Sequence, residues 1–498
     1  MTSNTSRTTL QGDASFLEKQ SQVQSSASST VERVSYKVRF SHIDERKVMR
    51  KIDLRVIPVL TLLYLLAFLD RVNISNAAIF GLKEELHLHG TAYNTALVIF
   101  FVPYVLFEIP SNFLLKKFSP SVWLSIMMFG FGFVTIMQGV TRQLSGLLAC
   151  RFFLGVFEAT IFPGCSYLIA MWYKRDEIQK RYTFFFASSS LAGAFGGLLA
   201  TAIGKMNGIS HYSAWRWIFI LEGILTCVVG FAMRWLIADF PETVAWLTEE
   251  EKAFVKARLE DDVGDSGHAR KHSFKDIIKV FKDYRVIAGG FMYLGFVVPA
   301  YSYAYFAPTI IRSFGYSPVR TQLFSVPPWA VSFVFAMTIA TFSDLTKHRF
   351  LFVILPLFVA LSGFATLLGS MHSHKTQYGA LFLAVSGVYS AMPVIVCWFN
   401  SNLAGHLRRS IGTGWQIGFG NLGGFVATFT FLSQASSFKN GYSVCIGFIC
   451  LSFLANIVYF TGLVLENRRR DNSNEGASIP ESEKQLMGDL NPDYRYML

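Results

Sequence analysis

Charged residues are scarce in this chain of 498 residues. Asp, Glu, Lys and Arg together make up 16% of the sequence, whereas soluble globular domains carry about 25%. Hydrophobic residues reach 52%, and the mean hydropathy is +0.37. This composition excludes an ordinary soluble protein and predicts a protein embedded in a membrane.

Paired cysteines and cofactor motifs are missing as well. The six cysteines lie inside apolar runs and show no CxxC spacing, so we expect neither structural disulfides nor a metal site. We find no nucleophile motif and no cofactor motif, and therefore predict that the protein is not an enzyme and binds no cofactor. The first residues also lack an apolar core that could serve as a cleavable signal peptide. Their Ser, Thr and Gln content predicts a disordered tail over residues 1–45.

Long apolar runs dominate the rest of the chain. A helix needs about 20 predominantly apolar residues to cross a bilayer. Twelve runs qualify, at 56–78, 93–115, 121–140, 143–170, 182–204, 215–237, 285–307, 322–342, 350–370, 377–399, 410–434 and 442–465. A polar insert at 238–284 divides them six and six. We therefore predict an all-α membrane protein with one bundle over 46–237, a second over 285–466 and a tail over 467–498.

Basic residues concentrate in alternate loops. Clusters occur at 116–117, 174–175, 408–409 and 468–470, whereas the opposite loops carry mostly single basic residues. Positive residues stay on the cytoplasmic side, so both termini and the insert are predicted to be cytoplasmic. Because the formal charge of +12 is distributed in this way, we do not expect nucleic acid as a partner.

The insert contains one further pattern. Phe274, Ile277, Ile278 and Phe281 share one face of a helix, which favours a helix lying on the inner leaflet. A plain amphipathic connector between the two bundles is the simpler interpretation, and we prefer it.

Four ionisable residues lie deep inside two of the spans. Asp70 and Arg71 are adjacent in the first span, and Arg151 and Glu158 are two helical turns apart in the fourth. An ionisable group within a bilayer costs roughly 2.5–3.5 kcal/mol, so all four are expected to face the protein interior. By residue count, Arg151 lies level with the Asp70–Arg71 pair, and Glu158 lies roughly 10 Å deeper.

Two interpretations of these four residues remain open. Two acids and two bases can form a neutral ion-pair network that only holds two helices together. Alternatively, Arg71 and Arg151 bind a substrate carboxylate, which matches the planar fork of a guanidinium, while Asp70 and Glu158 carry protons. An acid whose arginine partner is taken by another anion tends to gain a proton. Glu158 is favoured as the main carrier because no arginine is adjacent to it in sequence.

Other polar residues in the spans are weaker candidates. Glycine-rich or proline-broken helices beside polar groups are where membrane proteins build binding sites. The predicted substrate-binding residues of this kind are Asn73 in the first span, Tyr301, Tyr303 and Tyr305 in the seventh, and Trp415, Gln416 and Asn421 in the eleventh. An aromatic belt for the tyrosines and close helix packing around the glycines are the alternatives. For Glu108 and Glu222, packing roles are predicted.

Several of these segments together resemble a known family. They are FLDRVNISNA, RFFLGVFEATIFPG, WYKR, WRWIFILEG, TGWQIGFGNLGG and the final NPDYRYML. They are similar to fungal allantoate and nicotinate permease-like members of the anion:cation symporter branch of the major facilitator superfamily. The resemblance, which spans roughly residues 45–498, implies two pseudo-symmetric six-helix bundles that move organic anions with protons. It also implies that Asp70, Arg71, Arg151 and Glu158 are the substrate and proton residues.

One loop departs from the pattern of the superfamily. The loop after the second span, NFLLKKFSP, lacks the usual glycine and acid, whereas the equivalent loop after the eighth span holds Asp344 and Arg349. The resemblance therefore implies that this second pair supplies the gating contact.

The combined prediction is a proton-coupled importer of a small carboxylate or vitamin-like acid. We expect it to act as a monomer in the plasma membrane of a fungus, in contact with membrane lipid. Export of an organic-acid metabolite is one alternative, because gradients decide the direction of transport. A non-transporting nutrient receptor of the same fold is the other, although a receptor should carry a longer cytoplasmic insert or tail.

Overall fold

The computed structural model describes residues 40–174, 177–263, 278, 280–370, 373–403, 406–431, 438–472 and 491–498. In chain order its helices are α1 (Glu45–Ile79), α2 (Leu82–Glu85), α3 (Ala92–Lys117), α4 (Pro120–Val140), α5 (Leu144–Glu158), α6 (Ile161–Trp172), α7 (Ile178–Ile203), α8 (Ala214–Leu236), α9 (Glu249–Val263), α10 (Tyr284–Arg312), α11 (Pro318–Thr346), α12 (Arg349–Gly369), α13 (His374–Ser401), α14 (His406–Asn421), α15 (Gly423–Thr430) and α16 (Lys439–Asp471). These ranges contain no strand, which confirms the predicted all-α class. The predicted tail up to residue 39 and residues 274–277 of the predicted surface helix lie outside the described residues.

Helices occupy all twelve predicted spans. Within the described ranges, ten helices are long and apolar enough to cross a membrane, if the adjoining α5 and α6 are counted as one. The two remaining spans are the second and the eleventh. Helix α3 of the second span includes the apolar stretch Ala92–Glu108, and the eleventh span is built from the two consecutive helices α14 and α15.

The fourth span is interrupted directly after Glu158. Helix α5 ends at this residue and α6 begins at Ile161. Pro163 is the physical cause, because it has no N–H to donate to the carbonyl of Ala159 and its ring crowds that carbonyl. The interruption leaves Glu158 at the end of α5, in the middle of the span.

Charged contacts fix one end of the first bundle. Arg258 of α9 donates to Glu45 at 2.7 Å, and Lys51 of α1 lies 2.8 Å from Glu251 of α9. The linker helix α9 is thus attached to the start of α1. We call this end of the molecule the linker end and the opposite end, where residues 204–213 connect α7 to α8, the loop end.

Glycines bring α8 unusually close to α4. A Cβ built on Gly132 would lie 2.7 Å from the backbone nitrogen of Cys227 and 2.9 Å from the carbonyl oxygen of Gly223. Any larger residue would push the helices apart, as expected for membrane helices that associate through small residues. Glu222 and Thr226, each next in sequence to one of these α4-facing residues, point about 100° away from α4.

The two bundles contact each other from the middle of the membrane toward the loop end. Ser190 of α7 faces Ser332 of α11, with their hydroxyl oxygens 3.3 Å apart. Nearer the loop end, the amide nitrogen of Asn94 in α3 donates to the carbonyl oxygen of Thr428 in α15 at 2.5 Å. Ser75 of α1 donates to the carbonyl oxygen of Ala304 in α10 at 3.4 Å.

Residues 491–498 lie against the linker end of the second bundle. Asn402, the C-terminal cap of α13, donates to the Met497 carbonyl at 2.9 Å and accepts from the Met497 N–H at 2.7 Å. Trp398 also donates to the Met497 carbonyl, and the Arg349 N–H donates to the Leu498 carbonyl at 2.7 Å. These bonds tie α12 and α13 together through the C-terminal segment.

Replacing Asn402 with Ala should release this segment. The variant loses both bonds to Met497, each worth about 1 kcal/mol net, so the Met497 amide should exchange its hydrogen faster than in the parent protein. Hydrogen exchange followed by mass spectrometry measures this rate. Asn400→Ala is the matched control, because Asn400 bonds to the Val396 carbonyl and to Thr413. Equal exchange rates in the two variants would contradict the role of Asn402.

Candidate functional site

An ion pair between Arg71 and Glu158 lies at the centre of the first bundle. The Nε of Arg71 in α1 donates to Oε1 of Glu158 in α5 at 2.7 Å, and Nη2 contacts the same oxygen. Each residue is only 1% exposed. Separating such a buried pair costs about 3–5 kcal/mol, because one charge is left without its partner. The pair therefore joins α1 to the break in the fourth span.

Arg71 also reaches into the second bundle. Its Nη1 donates to the hydroxyl of Tyr301 in α10. The rings of Phe68, Phe100, Tyr104 and Tyr301 surround the guanidinium carbon at centroid distances of 5.2–5.7 Å. Aromatic faces are attractive to a cation in this distance range. One side chain thus contacts both halves of the molecule.

Arg151 is the second buried cation, and it contacts no carboxylate among the described residues. It is 0% exposed, and its Nε and Nη1 donate to the carbonyl oxygens of Ala96 and Arg71 at 3.2 and 3.3 Å. Its Nη2 has no hydrogen-bond partner within the described part of the chain. We call Arg71, Arg151, Glu158 and Tyr301 the arginine cluster. It contains two cations and one anion.

Asp70 points away from the arginine cluster. Its Oδ2 accepts a hydrogen bond of 2.8 Å from the hydroxyl of Thr226 in α8. One turn further along α1, the amide nitrogen of Asn73 donates to Oε2 of Glu222. We call Asp70, Asn73, Glu222 and Thr226 the carboxyl cluster.

The structure therefore divides the four charged residues between two clusters and does not join them in one ion-pair network. Asp70 and Arg71 are adjacent, and adjacent residues of a helix point about 100° apart. Arg71 consequently faces α5 while Asp70 faces α8. The packing role predicted for Glu222 is incomplete, since its carboxyl group lies beside that of Asp70. Glu222 and Thr226 are one turn apart in sequence, a signal that could have indicated a polar face on the sixth span.

The three tyrosines of α10 separate in the same way. Tyr301 and Tyr305 are one turn apart and stack with ring centroids 6.0 Å apart. Tyr303 lies on another face, where its ring meets that of Trp329 at 5.1 Å. Tyr301 belongs to the arginine cluster and Tyr305 lies next to it, whereas the structure does not bring Tyr303 into it.

The three candidates of the eleventh span also have different surroundings. The amide of Asn421 lies against the carboxyl group of Glu108 in α3, across the boundary between the bundles. Gln416 is fully buried, and neither of its amide atoms has a partner among the described residues. Trp415 stacks on Phe419 at 4.4 Å and donates to the Ile287 carbonyl at 3.4 Å. Trp415 thus packs against the start of α10 and is not part of the arginine cluster.

The predicted gating pair forms at the linker end of the second bundle. Nη1 of Arg349 lies 2.7 Å from Oδ1 of Asp344 and 2.9 Å from the hydroxyl oxygen of Ser343. The backbone N–H of Arg349 is the group that holds Leu498. The pair connects α11, α12 and the C-terminal segment, and its role in gating stays a prediction.

Comparison with known proteins identifies the family. The model of the Major Facilitator Superfamily matches residues 60–428. The chain is 36% identical over 404 residues to the MFS transporter prlL of a fungal species, covering 80% of this chain and 81% of that relative. It is 31% identical over 474 residues to the major facilitator-type transporter hxnP of Emericella nidulans, covering 91% and 93%.

Solved structures show the same fold. The proton:xylose symporter XylE bound to a glucose derivative superposes with a TM-score of 0.63 at 15% identity, over 83% of this chain and 96% of that one. A bacterial homologue of the human lysosomal transporter Spinster gives a TM-score of 0.58 at 15% identity, over 82% and 96%. These comparisons confirm the predicted superfamily and fold. The relatives are transporters, as predicted, and not enzymes. This chain, a multi-pass membrane transporter, belongs to the Major Facilitator Superfamily.

Proposed function

We propose that the protein is a proton-coupled transporter of a small organic anion. The arginine cluster carries this proposal, because it buries two guanidinium groups with a single carboxylate. An uncompensated charge in a protein interior costs several kcal/mol. One substrate carboxylate between Arg71 and Arg151 would neutralise the excess and use the free Nη2 of Arg151.

Proton coupling follows from competition for Arg71. Oε1 of Glu158 is bonded to Arg71, while its Oε2 has no donor among the described residues. A substrate anion that takes Arg71 leaves Glu158 buried without its cation. A proton on Glu158 then removes this cost, so substrate and proton bind together.

Alternating access fits the burial of the cluster. Arg71, Arg151 and Glu158 are at most 1% exposed, so a substrate reaches them only when the two bundles move apart. The bond from Arg71 to Tyr301 must break in that movement. Opening toward the loop end also requires the contact between Asn94 and Thr428 to separate.

The motifs of the spans support a finer placement within the superfamily. We assign the chain to the anion:cation symporter branch, near the fungal allantoate and nicotinate permeases, as an importer in the plasma membrane. Both termini are then cytoplasmic, as the distribution of Lys and Arg between the loops indicates. The monomer is the expected unit, since each chain contains both bundles.

Uptake assays with matched pairs of acids and amides test the substrate class. A permease-deficient yeast expressing the protein should accumulate an acid such as nicotinate or benzoate, and more so as the external pH falls. The amides nicotinamide and benzamide have nearly the same shape but no carboxylate to pair with the arginines. Equal carrier-dependent uptake of acid and amide would rule out an organic-anion site.

Arg151→Gln should weaken substrate binding. Glutamine can still donate to a neighbouring carbonyl but carries no charge. A charge-assisted hydrogen bond is worth about 1.5–3 kcal/mol, so the KM for the transported acid should rise by roughly 10-fold to 100-fold. Arg142→Gln, at an exposed position on the loop end, is the control and should leave KM unchanged. A normal KM in Arg151→Gln would remove Arg151 from the site.

Glu158→Gln should uncouple substrate movement from the proton gradient. Glutamine keeps the shape of the side chain but cannot release a proton. In vesicles, exchange of labelled for unlabelled acid should continue, whereas accumulation driven by a pH gradient should be lost. Unchanged gradient-driven accumulation would show that Glu158 is not the coupling residue.

A further inference from the structure

The carboxyl cluster contains two buried acids and no cation. Asp70 is 1% exposed and Glu222 is 2% exposed, while Asn73 and Thr226 are fully buried. The groups that donate to the two acids are an amide and a hydroxyl, both of them neutral. Neutral donors orient a carboxylate but do not cancel its charge.

The pairing of α1 with α8 places the two acids close together. Asp70 bonds to Thr226, and Asn73 bonds to Glu222. Residue numbers rise along α1 as they fall along α8, so the helices are antiparallel. The two carboxyl groups are therefore about one helical turn apart, or about 5 Å along the axis. At this distance two negative charges repel each other strongly in a dry interior.

Each acid also has an oxygen without a partner. Oδ1 of Asp70 and Oε1 of Glu222 receive no hydrogen bond within the described part of the chain. Both atoms are buried, and an orphaned charged oxygen loses its full hydration energy. A proton or another cation would bind at these two oxygen atoms.

The nearest arginines are engaged elsewhere. Arg71 binds Glu158, Arg151 binds two backbone carbonyls, and Arg216 lies 2.8 Å from Glu85 near the loop end. The described residues contain no group of three or more His, Cys, Asp or Glu side chains that could hold a metal ion. A proton neutralises the pair without needing any further ligand.

We propose that the Asp70–Glu222 pair holds one proton in the substrate-free protein, on one of its two carboxyl groups, which makes Glu222 a second proton-holding residue. The groups that face this pair favour protonation. Glu158 of α5 adds a further negative charge that acts on Asp70, and Cys227 of α8 lies near Asp70. From α7, Gly196 packs against the amides of Asn73 and Asn76 and brings no charge. The one cation next to the pair in sequence, Arg71, is bonded to Glu158.

This proposal rests on the proposed proton-coupled transport and adds a second site to it. Substrate binds on the α5 face of α1, whereas this proton is held on the α8 face. Since Arg71 and Asp70 are adjacent, a movement of α1 that follows substrate binding shifts Asp70 relative to Thr226 and Glu222. Release of the proton held by the pair is thereby linked to the movement of α1.

Infrared spectroscopy of the full-length protein in lipid vesicles tests the proposal without a substrate. A protonated carboxyl group shows a C=O stretching band that a carboxylate lacks. Difference spectra at neutral pH should show that the double variant Asp70→Asn/Glu222→Gln loses this band and that a single substitution of the protonated acid shifts it. Asp344→Asn is the matched control and should keep the band, because Asp344 lies in the second bundle, paired with Arg349.

A variant that keeps both acids is needed in case the acid substitutions prevent the protein from folding. Thr226→Val removes only the hydroxyl that bonds to Asp70, so the same band should shift in frequency while its intensity is kept. If the double variant Asp70→Asn/Glu222→Gln retains the full band, the pair holds no proton and the proposal is wrong. Loss of the band on adding Na⁺ at constant pH would also overturn it, in favour of a metal cation. These spectra involve no transport, so their failure is distinct from failure of the uptake assays.

Discussion

A charge buried in the membrane must meet an opposite charge or be removed by a proton, and the first bundle is built around this constraint. Each charge left facing lipid would cost roughly 2.5–3.5 kcal/mol. Arg71 meets Glu158 across α1 and α5, and aromatic rings shield its guanidinium. Arg151 is held by carbonyl oxygens alone. The position of each helix around α1 follows from where these groups find partners.

Helix α1 separates the two kinds of buried charge. Its α5 face carries an excess of positive charge in the arginine cluster, and its α8 face carries the two acids of the carboxyl cluster. One helix therefore connects the proposed anion-binding face with the proposed proton-holding face. The hydroxyl of Tyr301 extends this connection into the second bundle. A substrate that displaces Glu158 or Tyr301 from Arg71 acts on both the proton balance and the contact between the bundles.

Much of the architecture could be predicted because it depends on length and local composition. A run of about 20 apolar residues forms a spanning helix in almost any context, and each predicted span is helical. The grouping of the site residues was less predictable. Tyr303 and Trp415 are separated from the arginine cluster by their direction around the helix axis. Glu222 lies beside Asp70 because glycines let α8 pack closely against α4, a contact that no single segment contains.

The amino-acid sequence by itself determined the membrane location, the spans and the presence of two acids and two bases deep inside two of the spans. Each of these properties depends only on single residues or on the composition of short segments. Only the tertiary structure decided which charges meet. Pairing depends on the rotation and tilt of each helix against its neighbours, and a difference of about 100° between adjacent residues sends Arg71 to Glu158 and Asp70 to Thr226. The two acids and two bases, which could have formed one neutral network, thus belong to an arginine cluster and a carboxyl cluster of opposite charge.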